Sequence, residues 1–349
     1  MGIHGLTSLL KRFSPNSIRK VKLDEFKYKK IAIDTSLFIH KFLYSYNNII
    51  HGFFLQIYHL RRRNIEPVYI FDGKPPTEKR NIIENRKRKQ ANLINRISGL
   101  ELELKKLQDA QVSHISTDTT LIKVDDKELS KDEIEKAQND IKEKVKTLNR
   151  HVFKITGDDY RRLKRLFNLM NVRYCEAHGE ADILCVKLEK ENEVDACMTE
   201  DMDFLTHGSN LLLRDFNNKC NVVNVYDLNT ILNDLDITPS QFTDLCILCG
   251  CDYTPKIRGI GTVGALKFIK KYGSIENIIE QLCQEQGRYR ICNNFNYIKA
   301  RELFDASNRE FSYVAYHNKE INLNELKTFL LEHTKLTDKQ IKNKFKKLY

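Results

Sequence analysis

KKIAIDTS, residues 29–36, is a β-branched apolar run closed by an acid and two hydroxyl residues, and PVYIFDG, residues 67–73, repeats that grammar with Asp72 and Gly73 at its end. Each reads as a buried strand whose carboxyl end carries an aspartate. SLFIHKFLYSYNNIIHGFFLQIYHL, 36–60, lies between them and reads as helix, giving a strand, helix, strand unit. Acids close further apolar runs in HGEADILC (178–185), VDACMTEDMDFL (194–205) and CILCGCDY (246–253). In an α/β protein the carboxyl ends of parallel strands gather at one edge of the sheet. Asp34, Asp72, Glu180, Asp182, Asp201, Asp203 and Asp252 are therefore expected to converge, in a mainly parallel central sheet flanked by helices.

Converging carboxylates repel one another and are costly to desolvate, which a divalent cation relieves. Hard cations such as Mg²⁺ take oxygen ligands, and two of them about 4 Å apart can clamp the attacking and leaving oxygens of a phosphodiester. Taken singly, each acid has a plainer explanation. An Asp-x-Asp pair such as Asp201 and Asp203 is more often a cap or turn, and acids in a first helical turn answer the helix dipole. Asp34 before Thr35 and Asp72 before Gly73 could equally be caps. Glu180 and Asp182 open a helix that splays them about 200° apart, so at most one of them should bind metal directly, the other acting through water or a neighbouring contact. Capping does not account for acids at five element ends together, and a hydrolytic nuclease is the first expectation.

The chain has 349 residues, 41% of them hydrophobic, enough for a substantial core. Its net charge of +11 suits a polyanionic partner. Nine cysteines without an apolar leader or a bilayer-length run point to a reduced intracellular compartment and no membrane. Cys246, Cys249 and Cys251 have no second pair at zinc spacing and read as buried thiols. MGIHGLTS misses a myristoylation motif because Leu6 stands where Ser or Thr is needed, so no lipid anchor is expected.

From about Pro75 to Arg150 the chain turns to long charged helices, 85–111 and 130–150, around a polar stretch, 113–128. They read either as a solvated pair or coiled-coil hairpin, or as a charged projection that grips a strand. Lys79 and Arg86, seven residues apart, would share a face at the start of the first helix. They could both point at a phosphate, or simply form a solvated basic face. ITGDDYRRLKRLFNLMN (155–171) is an amphipathic helix, after which strand-like runs resume in VRYCEA, VDACMTED and LLLRDF. Beyond Thr238 the sequence reads as short helices. IRGIGTVGALKFI (257–269) holds a literal G-x-G-x-x-G, but Pro255 precedes it where a dinucleotide site needs a strand. Two helices joined by a glycine hairpin fit better, offering Arg258, Gly259 and Gly261 to a duplex phosphate, with Lys267, Lys270 and Lys271 on the next helix.

Taken together, MGIHGLTSLL, IAIDTS, YIFDGKPP, EAHGEADILC, TEDMDFLTHGS and LCILCGCDYTPKIRGIGTVGA resemble the flap endonucleases of the XPG family of structure-specific 5′ nucleases, in order and over nearly the whole chain. The resemblance implies a PIN-like 5′ nuclease fold. It implies an N-terminal nuclease region at 1–105, a helical arch insertion at 79–157, an internal nuclease region at 158–235, and a helix-hairpin-helix region with C-terminal helices at 236–349. It assigns the seven acids to a site for two Mg²⁺, with Mn²⁺ able to substitute, and a K⁺ position at the helix-hairpin-helix. It also makes Lys79 and Arg86 cations that act on the scissile phosphate beside Asp201, and sets Gly2 near the active site. The implied partner is branched DNA with a 5′ single-stranded flap, cut by a monomeric endonuclease with 5′–3′ exonuclease activity in replication, repair or recombination, in the nucleus or a viral replication site. A 5′ exonuclease, a junction resolvase and a non-catalytic recombination factor are the rival readings.

Several positions depart from the family pattern. His40 stands where a Tyr usually stacks on substrate, and Asp182 replaces a Glu, shortening its reach by a methylene. The span from Asp34 to Asp72 is shorter and the arch longer. The chain stops at KFKKLY (344–349) without a sliding-clamp box, so recruitment by the clamp is not expected.

Overall fold

The protein is described here as a computed structural model, over residues 2–348 except 114–120, 125–126, 150–151, 153–154, 219–220, 285–288, 306–312 and 317–320. The chain forms two compact units, Met1–Lys79 with Gly157–Tyr349, and Arg80–Thr156. The first unit begins with α1 (Leu6–Phe13), β1 (Ile18–Lys22), β2 (Lys30–Asp34), α2 (Thr35–Tyr46), α3 (Ile49–Arg61) and β3 (Glu66–Phe71). The second holds α4 (Arg80–Ser113), β4 (Leu121–Val124), β5 (Lys127–Ser130) and α5 (Lys131–Asn149). The first unit resumes with α6 (Gly157–Leu169), β6 (Tyr174–Ala177), α7 (Ala181–Lys190), β7 (Ala196–Met198), α8 (Asp203–Thr206), β8 (Leu211–Arg214) and β9 (Val222–Asp227). It ends with α9 (Leu228–Leu235), α10 (Pro239–Cys249), α11 (Thr262–Tyr272), α12 (Ile275–Gln284), α13 (Tyr297–Phe304), β10 (Tyr313–Tyr316), α14 (Leu323–His333) and α15 (Asp338–Phe345).

The sheet runs β1, β9, β8, β7, β2, β3, β6, β10. Its middle, from β8 to β6, is parallel, and the outer pairs β1/β9, β9/β8 and β6/β10 are antiparallel. Helices cover both faces of the central strands, which explains why β2 and β3 read as unbroken apolar runs rather than alternating ones. One face is aromatic: Tyr69 stacks on Phe167 at 4.4 Å, with Phe53 and Phe71 packed against the same ring. The Tyr69 hydroxyl donates to Gln56 Oε1 at 2.9 Å, so the polar atom buried by that layer is satisfied. Truncating Phe167 to alanine would open a cavity costing about 3–5 kcal/mol. The opposite face carries the larger core, where Ala32, Ile70 and Cys197 meet α7, α10 and α1.

Three readings from the sequence are corrected. The apolar stretch 36–60 is two helices, because Asn47 takes a left-handed conformation (φ 51) at the end of α2 and Asn48 caps α3 by accepting from the His51 N–H. Part of the polar stretch at 113–128 forms the β4–β5 hairpin. The segment beyond Thr238 is not helical throughout, since β10 joins the sheet edge beside β6.

Within the second unit, α4 and α5 pack through a narrow stripe of Leu107, Ile134 and Ile141, with Leu100, Leu104 and Val145 beside it. Ser130 and Glu133 cap α5 reciprocally: Ser130 N–H donates to the Glu133 carboxylate and Glu133 N–H to Ser130 Oγ. Most of the other described residues of both helices are charged or polar and exposed, with Ile97 and Gln138 also buried. In the first unit, the buried Asp244 carboxylate accepts from Arg301 Nε and Nη2, both at 2.6 Å, and from the Ile275 N–H, locking α10, α12 and α13 together. Among the described residues no helix is long and apolar enough to cross a membrane.

Candidate active site

Strand polarity places the acids. Asp34 is the last residue of β2, Asp72 follows the end of β3, Glu180 caps the helix that follows β6, and Asp201 follows β7. All lie at the carboxyl edge of the parallel strands. Asp34 Oδ1 accepts from the Ser36 and Leu37 amides, so it is also the cap of α2, and its Oδ2 accepts from Thr199 Oγ1 at 3.1 Å. Thr199 Oγ1 in turn accepts from the Asp201 N–H, and Asp201 Oδ1 from the Asp203 N–H. One hydrogen-bonded chain thus joins Asp34 to Asp203.

Asp72, Glu180 and Asp182 have separate partners. Asp72 Oδ1 accepts from the Ala181 N–H at 2.8 Å, next to Glu180. The loop after β3 lies flat against the loop after β6, with Gly73 N–H donating to Gly179 O at 2.7 Å, and a Cβ on Gly73 would stand 2.1 Å from Ala177 O. Only glycine permits that approach. Glu180 accepts from Lys79 Nζ at 2.5 Å and from the Tyr253 hydroxyl at 3.0 Å. Asp182 Oδ1 accepts from the Ile183 N–H, while its Oδ2 lies 3.4 Å from His207 Nε2. The two helix-opening acids therefore take different partners, as their angular separation requires.

The electrostatics are those of crowded, desolvated carboxylates. Burial pushes Asp34 well above the usual carboxylate range, with the charges of Asp72 and Asp182 adding to it. Burial also raises Glu180 and Asp201, each with help from Asp182, and Asp72 shifts the same way by partial desolvation although the residue reaches solvent. Asp203 is raised well above its ordinary value by burial and by Asp201. Asp182 goes the other way: burial opposes its ionisation, but His207 and Lys79 outweigh that and lower it to about 2. Burial alone would depress the Lys79 ammonium; Asp182 and Glu180 reverse the sign and raise it. Lys79 also sits 4.9 Å over the Tyr253 ring.

The donor set fits a hard divalent cation. Asp203 is buried, and its Oδ1 accepts no hydrogen bond among the described residues. Such an oxygen, amid like charges, is what a cation satisfies. No three His, Cys, Asp or Glu side chains among the described residues close around an ion by themselves.

The remaining predicted residues fall as follows. Gly2 (φ 80) lies against the cluster, where a Cβ would stand 2.0 Å from Asp201 Oδ1 and 2.6 Å from Asp203 Oδ1. Asp252, in the loop after α10, is half-buried and close enough to Asp203 to raise it. Lys79 ends a 3-10 turn, Thr77–Lys79, and is not on α4. That turn runs directly into α4 at Arg80, with Lys79 the last residue of its segment of the first unit. Arg86 lies on α4 in the second unit, and His40 is exposed on α2. Gly261 caps α11, Gly259 lies in the preceding loop, and Arg258 pairs through its backbone with Arg290. Lys267, Lys270 and Lys271 are exposed on α11. Cys246, Cys249 and Cys251 are buried thiols, with burial pushing Cys249 up to about 12 and Cys251 to about 11.

Known proteins match this arrangement. The XPG N-terminal domain matches residues 1–93 and the XPG I-region residues 171–252. Flap endonuclease 1 of Entamoeba histolytica is 33% identical over 322 residues, covering 87% of this chain and 75% of the relative. Flap endonuclease 1 of Glycine max is 37% identical over 322 residues, covering 87% and 74%. The chain belongs to the XPG family. Its fold is also that of the catalytic core of Rad2 in complex with a DNA substrate, at a TM-score of 0.70 and 19% identity over the whole of both chains.

Three contributors to this XPG-family site escaped the sequence reading. Thr199 bridges Asp34 to Asp201, Tyr253 holds Glu180, and His207 faces Asp182. All three stand inside motifs that were read for their acids. Nothing in a hydroxyl or imidazole at those positions marks it as buried against a carboxylate.

Proposed function

We propose that this protein is a structure-specific 5′ flap endonuclease that hydrolyses a DNA phosphodiester near a single-strand/duplex junction. The observation that carries this reading is the gathering of carboxylates, raised by burial and mutual repulsion, beside one half-buried lysine at the carboxyl edge of the sheet. It occurs in a chain whose relatives are flap endonucleases at 33–37% identity.

Asp34, Asp72, Glu180, Asp182, Asp201, Asp203 and Asp252 would hold two Mg²⁺, or Mn²⁺ in their place. When bound, the ions supply charge neutralisation at the phosphate and activation of a water at neutral pH. Lys79, fixed by Glu180 and Tyr253, stays cationic at any working pH and is placed to stabilise charge developing on a phosphate oxygen. Arg86 is proposed as a second phosphate-binding cation. Thr199 and Tyr253 orient the Asp34 and Glu180 carboxylates, so that substrate binding requires little rearrangement. Duplex DNA would bind through the 257–261 loop and the exposed lysines of α11, reading backbone rather than bases, with K⁺ at the same hairpin.

Comparing initial rates on 5′-flap, blunt duplex and four-way junction DNA tests the substrate. Preference for the flap supports the reading. Equal or faster cutting of the junction would replace it with a resolvase.

A further inference from the structure

His207 is fully buried; its Nδ1 is within hydrogen-bond distance of a carbonyl, while its Nε2 meets a carboxylate at ion-pair distance and makes no hydrogen bond among the described residues. Nδ1 lies 3.0 Å from the Phe304 carbonyl, and Nε2 lies 3.4 Å from Asp182 Oδ2. Phe304 ends α13, where carbonyl groups have no partner within the helix and attract cationic donors. The residue is anchored at every other point too. Its N–H donates to the carbonyl of Asp203, its own carbonyl accepts from Lys190 Nζ at 2.9 Å, and its ring packs on Phe304.

We propose that His207 is a positioning residue for the divalent-metal site, bridging the Asp182 carboxylate to the end of α13. The proposal rests on the metal-site reading above. Asp34, Asp72 and Glu180 take their orientation from donors on neighbouring segments. Among the described residues Asp182 Oδ1 accepts from the amide of the next residue, and the imidazole is the charged or polar ring that faces Oδ2 at ion-pair distance. Without it this short side chain is free to swing toward Lys79 or water. Stability alone does not call for a histidine here, because a phenylalanine in the same slot would avoid burying a polar ring beside a charge. The bridge also makes metal affinity depend on α13, which Arg301 ties to Asp244 and Glu276.

Mn²⁺ binding without DNA, followed by electron paramagnetic resonance of the free ion, tests this in the full chain beside a thermal melt of the metal-free protein. His207→Phe should weaken Mn²⁺ binding about 10- to 100-fold while the melt is unchanged or higher. His207→Gln, which keeps a donor within reach of Asp182, should recover most of that affinity. In an Asp182→Ala background, His207→Phe should have no further effect, because the imidazole acts through that carboxylate. Wild-type affinity in His207→Phe, or an undiminished effect in the Asp182→Ala background, overturns the proposal. Absence of Mn²⁺ binding in the wild type would overturn the metal site itself. Should the phenylalanine variant fail to melt cooperatively, His207→Asn, too short for the carboxylate, takes its place; affinity equal to that of His207→Gln overturns the proposal.

Discussion

Replacing Asp203 with asparagine should stabilise the metal-free protein while abolishing its cleavage activity. Asp203 is 1% exposed, its Oδ1 accepts no hydrogen bond among the described residues, and Asp201 and Asp252 add like charge. Leaving one buried polar atom unsatisfied costs about 1–3 kcal/mol, and a charged one more. The neutral isostere removes the charge at nearly constant volume, so the expected gain is about 1–3 kcal/mol, or about 1–4 °C in Tm for a chain of this size. The pH dependence has a definite sign. Because the folded pKa is raised, the carboxyl is protonated in both folded and unfolded chains at low pH, and there the cost vanishes. The cost is complete only above the folded pKa. Calorimetry in chelator should therefore show the variant melting above wild type at pH 7.5, with the gap closing toward about pH 4. Saturating Mg²⁺ should raise the wild-type Tm more than the variant's, since only wild type offers both oxygens of that carboxylate to the ion. A variant melting at or below wild type in chelator at pH 7.5 would refute the view that Asp203 is held at a cost for metal binding.

Three further outcomes follow from local geometry. Gly2→Ala places a methyl within 2.0 Å of Asp201 Oδ1 at a backbone φ of 80, so it should slow cleavage and weaken Mg²⁺ binding; wild-type values in a Mg²⁺ titration would contradict this. Tyr28 is 75% exposed at φ 66, a conformation that burdens any residue with a Cβ, so Tyr28→Gly should gain up to about 1 kcal/mol in urea denaturation. An unchanged midpoint would count against that strain. Arg301→Leu leaves the Asp244 carboxylate, 2% exposed, without its ion partner and should cost about 3–5 kcal/mol by the same assay; a loss under 1 kcal/mol would show that water replaces the arginine.

The acids were legible because strand polarity does the work: an apolar run ending in Asp34 or Asp72 delivers the carboxylate to one sheet edge whatever the helices do. The break at Asn47 and Asn48 was legible in principle, since paired asparagines suit a left-handed helix end followed by a cap, but the apolar periodicity ran straight through them. The seven-residue spacing of Lys79 and Arg86 could not reveal that the first turn is 3-10, because the α-helix begins only one residue after Lys79. The antiparallel partners β1 and β10 carry no pattern of their own; both are short edge strands recruited by the sheet. His207 could not be found from sequence at all. A histidine after LT reads as a surface residue until the fold brings Asp182 and the end of α13 to its two nitrogens.

The central claim is that these acids hold the metal that cuts a flap. It is tested most directly by cleavage of an end-labelled 5′-flap DNA by wild type and Asp201→Ala, with Mg²⁺ and with chelator, alongside binding of the same DNA. Release of the flap by wild type in Mg²⁺ alone, with Asp201→Ala still binding but not cutting, is the predicted result. Cutting by Asp201→Ala at the wild-type rate, or by wild type in chelator, would contradict it.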